Sequence, residues 1–142
     1  MMAYREKTAW LAIAGLVIGY GLLFAAAQVQ GGIEGMTVGR FLLWLAIASA
    51  VRVAIELTGR FLLARQMGPE AGAPADERDH AIAARSATFG YGVLLAGMII
   101  VGMIMPFSAQ GIAIVGAALV AIVAAELIRY LAIALSYRLG WQ

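Results

Sequence analysis

Apolar residues run through this chain in four long stretches, not in short alternating runs. They fall at about 8–27, 38–64, 81–105 and 109–137. Each matches or exceeds the ~20 residues a helix needs to cross a bilayer. Polar and helix-breaking residues mark the joints. A polar segment over about 65–80 holds Gly68-Pro69, Gly72 and Pro74, and Pro106-Phe107-Ser108 reads as a tight turn. Asp76 and Asp79 stand where an N-cap and a first-turn carboxylate would begin the third helix, and Ser108 stands where a cap would begin the fourth. The pattern predicts an all-α, polytopic membrane protein: one four-helix transmembrane domain over 1–142.

Composition strengthens that reading and removes several chemistries. The 142 residues are 63% apolar and 13% charged, with 17 glycines besides. A soluble domain of this size could not hide so much apolar surface. There is no cysteine, which excludes thiolate metal sites and Cys nucleophiles. His80 is the single histidine, so no His-rich metal site is expected, and beside Asp76, Glu77 and Asp79 it reads as a solvated side chain. With no nucleophile–base pair and no cofactor motif, the sequence predicts neither an enzyme nor a cofactor or metal site. The net charge of +2 is too small to argue for nucleic acid. Ala25-Ala26-Ala27 before Gln28 resembles a signal-peptide cleavage site, but the apolar run before it exceeds the ~7–15 residues of a signal core. The first helix is expected to belong to the fold.

Lys and Arg placement sets the expected orientation. Arg5, Lys7, Arg60, Arg65, Arg78, Arg85 and Arg138 gather at the termini and the middle loop, and the opposite side has Arg40. Both termini and the loop over about 65–80 are expected in the cytoplasm.

The chain also matches itself at an offset of 71. Gly19-Tyr20-Gly21 falls on Gly90-Tyr91-Gly92, Glu6-Lys7 on Glu77-Arg78, and Ala46, Ala50 and Ala54 on Ala117, Ala121 and Ala125. Glu56 matches Glu126 at an offset of 70. Two duplicated hairpins would be related by a pseudo-two-fold axis along the membrane normal. Small residues recur at four-residue spacing: Gly15 and Gly19; Ala46, Ala50 and Ala54; Ala113, Ala117, Ala121 and Ala125. Such ridges let helix backbones approach closely, and both alanine ridges are expected to pack.

Besides Arg40 and Arg85 near the helix starts, five charges fall within the apolar stretches. Ser49, Arg52, Glu56 and Arg60 share one face of the second helix, and Glu126, Arg129, Tyr130 and Tyr137 form a stripe on the fourth. A charge near the centre of a membrane helix costs about 2.5–3.5 kcal/mol or more, so these groups should pair. Arg52–Glu56, Glu56–Arg60 and Glu126–Arg129 can pair along one helix, and pairs can also cross between the second and fourth. The cluster Arg52, Glu56, Arg60, Glu126, Arg129 and Tyr130 is thus a polar clasp or a ligand site. Tyr20 and Tyr91, mid-helix, need hydroxyl partners or line a cavity. Asp76, Glu77, Arg78 and Asp79 form a capped helix start or a docking surface for a cytoplasmic protein.

Tyr4-Arg5-Glu6-Lys7 before the first helix, and Asp76-Glu77-Arg78-Asp79 followed by Ile82 and Arg85-Ser86 before the third, resemble a family of small bacterial membrane proteins of unknown function. The resemblance implies four spans, in a bacterial inner membrane, and carries no activity.

Two functions fit these readings. One is a non-catalytic, self-associating module in the lipid bilayer that binds a lipid, a small molecule or a protein. The other is a small transporter or ion pathway with Glu56 or Glu126 as its coupling carboxylate.

Overall fold

The computed structural model describes residues 4–109 and 111–140. Four long helices dominate: α1 Tyr4–Val29, α2 Val38–Met67, α3 Glu77–Ile99 and α4 Ile112–Leu139. The chain from α3 continues without a break through a π turn at Ile100–Ile104 and a 3-10 turn at Met105–Phe107. All four are long and apolar enough to cross a membrane. Short 3-10 turns at Ile33–Gly35 and Gly68–Gly72 sit in the connections, and there is no strand among the described residues.

Local chemistry sets the helix starts. Thr37 Oγ1 accepts from the Arg40 amide and caps α2. Asp76 Oδ1 accepts from the Asp79 amide at 2.7 Å, and Asp79 Oδ2 accepts from the Asp76 amide at 3.2 Å. That reciprocal box satisfies donors which a helix start otherwise leaves free. Ser108 does not cap α4. Its hydroxyl bonds back to the Met105 carbonyl at 3.4 Å, and α4 begins only at Ile112, after Gly111 at φ +60°. A side chain at 111 would resist that left-handed turn.

The helices pack in the spatial order α2–α1–α4–α3, with little contact between α2 and α3. The ring is therefore open on one side, and α1 and α4 carry most of the burial. Glycines set the closest approaches. A β-carbon on Gly19 would lie 2.7 Å from the Ala48 carbonyl oxygen and 3.2 Å from Arg52 Cβ. One on Gly90 would lie 3.0 Å from Arg129 Cβ and 3.1 Å from the Ala125 carbonyl oxygen. So α1 rides on α2, and α3 on α4, through backbone contact that only a missing side chain permits.

The two contacts are alike, but one offset does not relate them. Gly19 and Gly90 are 71 positions apart, whereas Ala48–Ala125 and Arg52–Arg129 are each 77 apart. The alanines matched at an offset of 71 accordingly take different places. Ala121 and Ala125 are buried, while Ala46, Ala50 and Ala54 all face outward, correcting the expectation that both ridges pack. The face of α2 that meets α1 instead carries Phe41 and Ala48. With Leu23, Ala27, Met36 and Leu119 these form the apolar core, at the end of the bundle where α1 turns into α2. The polar groups lie from mid-helix toward the terminal end.

Candidate functional site

Arg52 lies fourteen residues into α2, and its guanidinium bridges two helices. Nε donates to Glu56 Oε1 at 2.9 Å, one turn along, and Nη2 donates to Glu126 Oε2 on α4 at 2.6 Å. The Tyr20 ring of α1 stands 6.0 Å from the guanidinium carbon. Arg60 Nη2 reaches Glu56 Oε2 at 3.4 Å, a longer contact from a half-exposed side chain. Three side chains at the centre of the cluster, Arg52, Glu56 and Glu126, are 20%, 16% and 30% exposed. At such burial a carboxylate without its arginine would be costly, so one guanidinium shared between two carboxylates is a locally consistent solution.

Arg129 takes a different place from the one its spacing suggested. It forms no ion pair with Glu126 or with any other described residue. Its stem packs on Gly90, and its guanidinium carbon stands 5.8 Å from the Tyr130 ring centre. Arg129, Glu126 and Tyr91 line a groove of about 250 Å³ between α3 and α4, with Ala87, Leu94 and Ile122 as apolar walls. Of the two mid-helix tyrosines, Tyr20 thus accompanies Arg52, and Tyr91, 65% exposed, lies in the groove with Arg129.

A second polar assembly closes the terminal end of the bundle. Arg5 Nε meets Asp79 Oδ2 at 2.9 Å, and the Tyr137 hydroxyl donates to Asp79 Oδ1. Asp79 is therefore part of the capping box, an ion pair and a hydrogen bond at once. All four helices line a cavity of about 160 Å³ behind it, among them Thr8, Arg60, Ala83 and Tyr130. The expected docking segment is thereby divided. Asp76, though exposed, and half-buried Asp79 are engaged in bonds within the chain, while Glu77 and Arg78 face outward.

Sequence reasoning missed three buried polar groups. Glu6 is 5% exposed and Ser86 1% exposed, and Glu6 Oε1, Trp10 Nε1 and Ser86 Oγ have no hydrogen-bond partner among the described residues. Ser86 had a legible signal: it falls between Ile82 and Gly90 on the four-residue stripe that α3 turns toward α4. Glu6 had none, since a carboxylate in the first turn of a helix is expected in solvent. No three acidic or imidazole side chains converge as metal ligands among the described residues.

No curated protein and no solved structure matches the chain. Residues 5–140 match the family described as "Predicted membrane protein (DUF2178)". That match takes in all four helices and both polar assemblies, and the chain belongs to this family of predicted membrane proteins of unknown function.

Proposed function

We propose that the chain is a non-catalytic membrane module whose helices are held in register by an intramembrane clasp and which binds a lipid or protein partner to regulate it. The observation that carries this reading is Arg52, which satisfies Glu56 and Glu126 together from a single guanidinium. A carboxylate tied to arginine in that way is poorly suited to load and release a cation or proton at every cycle. Cytoplasmic termini follow from the Lys and Arg distribution, and self-association in the bilayer belongs to the same reading.

The alternative, a small transporter or ion pathway, draws on one feature. Glu126 is 30% exposed and lines the α3/α4 groove, on a bundle that is open between α2 and α3. Reconstitution separates the two. For a module, Glu56→Gln and Glu126→Gln lower thermal stability in detergent, and wild-type proteoliposomes show no proton-coupled flux. A wild-type flux that either variant abolishes while keeping its stability establishes transport instead.

A further inference from the structure

We propose that the α3/α4 groove around Arg129 is a binding site for an anionic phospholipid, with the lipid phosphate on the Arg129 guanidinium. Two arginines stand in like places. Arg52 packs its stem on Gly19 and has Glu56 four residues on and Glu126 across the bundle. Arg129 packs its stem on Gly90, but four residues on from it is Ile133, and no described residue pairs with it. The same backbone device thus presents one arginine with two counter-ions from its own chain and the other with none.

Depth makes the difference consequential. Arg129 lies seventeen residues after the start of α4, roughly 25 Å along a helix axis. With the start of α4 at one edge of a hydrocarbon layer of roughly 30 Å, Arg129 lies about 5 Å inside the other edge. An arginine there draws a phosphate and water inward rather than remaining bare.

The groove offers room and a matching charge. Glu126 lines it, but Arg52 holds its Oε2 at 2.6 Å, and Arg52 and Arg60 together balance Glu56 and Glu126, so the cluster with Arg129 carries a net charge of +1. A headgroup that carries its own ammonium would bring a second cation to the same place; an anionic one would not. Tyr91, 65% exposed, offers a hydroxyl to a phosphate oxygen, and Leu94 and Ile122 continue the groove as an apolar track for an acyl chain. The occupant is a phosphodiester lipid of the leaflet on the terminal side, such as phosphatidylglycerol.

This proposal rests on the clasp reading in one respect: Arg52, not Arg129, must hold Glu126. The test uses full-length protein in detergent, titrated with phosphatidylglycerol, with phosphatidylcholine and with inorganic phosphate. Bound lipid is counted by native mass spectrometry and stability followed by thermal unfolding. Phosphatidylglycerol should bind and raise the melting temperature, with phosphatidylcholine weaker and inorganic phosphate without effect at the same concentration. Arg129→Gln should weaken phosphatidylglycerol by about five- to ten-fold, and Arg129→Lys by less. Ala87→Trp fills the groove from an exposed position and should block binding with the charge intact, which keeps the test decisive if Arg129→Gln does not fold. Equal binding of the two lipids, or unchanged phosphatidylglycerol binding in Arg129→Gln or Ala87→Trp, overturns the site. Inorganic phosphate matching the lipid would assign the groove to a free anion and overturn it as well. Glu56→Gln keeps the groove and should lose stability while retaining the lipid preference, so failure of the clasp and failure of the lipid site give different results.

Discussion

Arg52 and Glu126 each lie fourteen residues after the first residue of their helices, and they meet at 2.6 Å between α2 and α4. Equal depth is what allows one guanidinium to serve a carboxylate on its own helix and another across the bundle. It also makes Arg52 the member whose loss costs most, because its removal strands Glu126 and leaves Glu56 with only the longer contact to half-exposed Arg60, whereas removal of either glutamate leaves Arg52 one partner.

Arg52→Gln should therefore destabilise more than Glu56→Gln or Glu126→Gln. Breaking a buried pair costs about 3–5 kcal/mol in soluble proteins, and less in lipid, where snorkelling and water defects relieve the stranded charge. Unfolding in detergent gives the order, and double-mutant cycles give the couplings. The cycles Arg52/Glu56 and Arg52/Glu126 should each show a favourable coupling, whereas Glu126/Arg129 should show close to none. A larger coupling for Glu126/Arg129 than for Arg52/Glu126 would reverse the pairing.

Helix packing yields a second prediction. Gly19→Ala places a methyl 2.7 Å from the Ala48 carbonyl oxygen, and Gly90→Ala one 3.0 Å from Arg129 Cβ. Each should lower the melting temperature, Gly19→Ala by more, since its 2.7 Å approach to a backbone oxygen is tighter than the 3.1 Å from Gly90 to the Ala125 carbonyl oxygen. Ala121→Leu should do the same, because Ala121 is 8% exposed and lies against Gly97. Ala50→Leu faces outward and should leave the stability of the monomer within about 0.5 kcal/mol of wild type. Equal losses for Ala50→Leu and Ala121→Leu would place the α2 ridge inside the bundle.

The four helices were legible because long apolar runs have one stable form in lipid, and the Asp76 cap because its donors and acceptors are local in sequence. The pairing was only partly legible. Glu126 and Arg129 stand three apart on one helix face, but spacing says only that they can meet, and Arg52 takes Glu126 from across the bundle. One boundary mattered here. With Ser108 read as the cap, the fourth helix starts at Ala109 and Glu126 falls almost a turn deeper than Arg52. Starting at Ile112, the two are level. The order α2–α1–α4–α3 had no signature in sequence, because in an apolar helix nearly every face can serve as an interface.

Orientation can be tested directly. A reporter active only in the cytoplasm, fused after Gly140 or within the loop at Gly72, should give signal, and a fusion at Gly32 should not. Arg5, Lys7, Arg65, Arg78 and Arg138 lie at the end that should be cytoplasmic, and Arg40 at the other. Signal from Gly32 alone would invert the protein and move the Arg129 groove to the opposite leaflet.

The terminal assembly provides the last prediction, because three interactions of different strength converge on one carboxylate. Tyr137 donates to Asp79, Arg5 pairs with it, and the Asp76 amide donates to it within the capping box. Arg5 is 41% exposed, so its ion pair is screened and should contribute only about 0–1 kcal/mol. A hydrogen bond to a charged acceptor contributes about 1.5–3 kcal/mol, and loss of one side of a helix cap about 1 kcal/mol. The expected order of destabilisation is thus Asp79→Ala, then Tyr137→Phe, then Arg5→Gln, with Glu77→Gln as an outward-facing control. Asp79→Ala also leaves the Tyr137 hydroxyl without its acceptor at the junction of α3 and α4. Thermal unfolding of the four variants in one detergent measures the series. Arg5→Gln losing as much as Asp79→Ala would mean that the ion pair, not the tyrosine and the cap, holds this end of the bundle together.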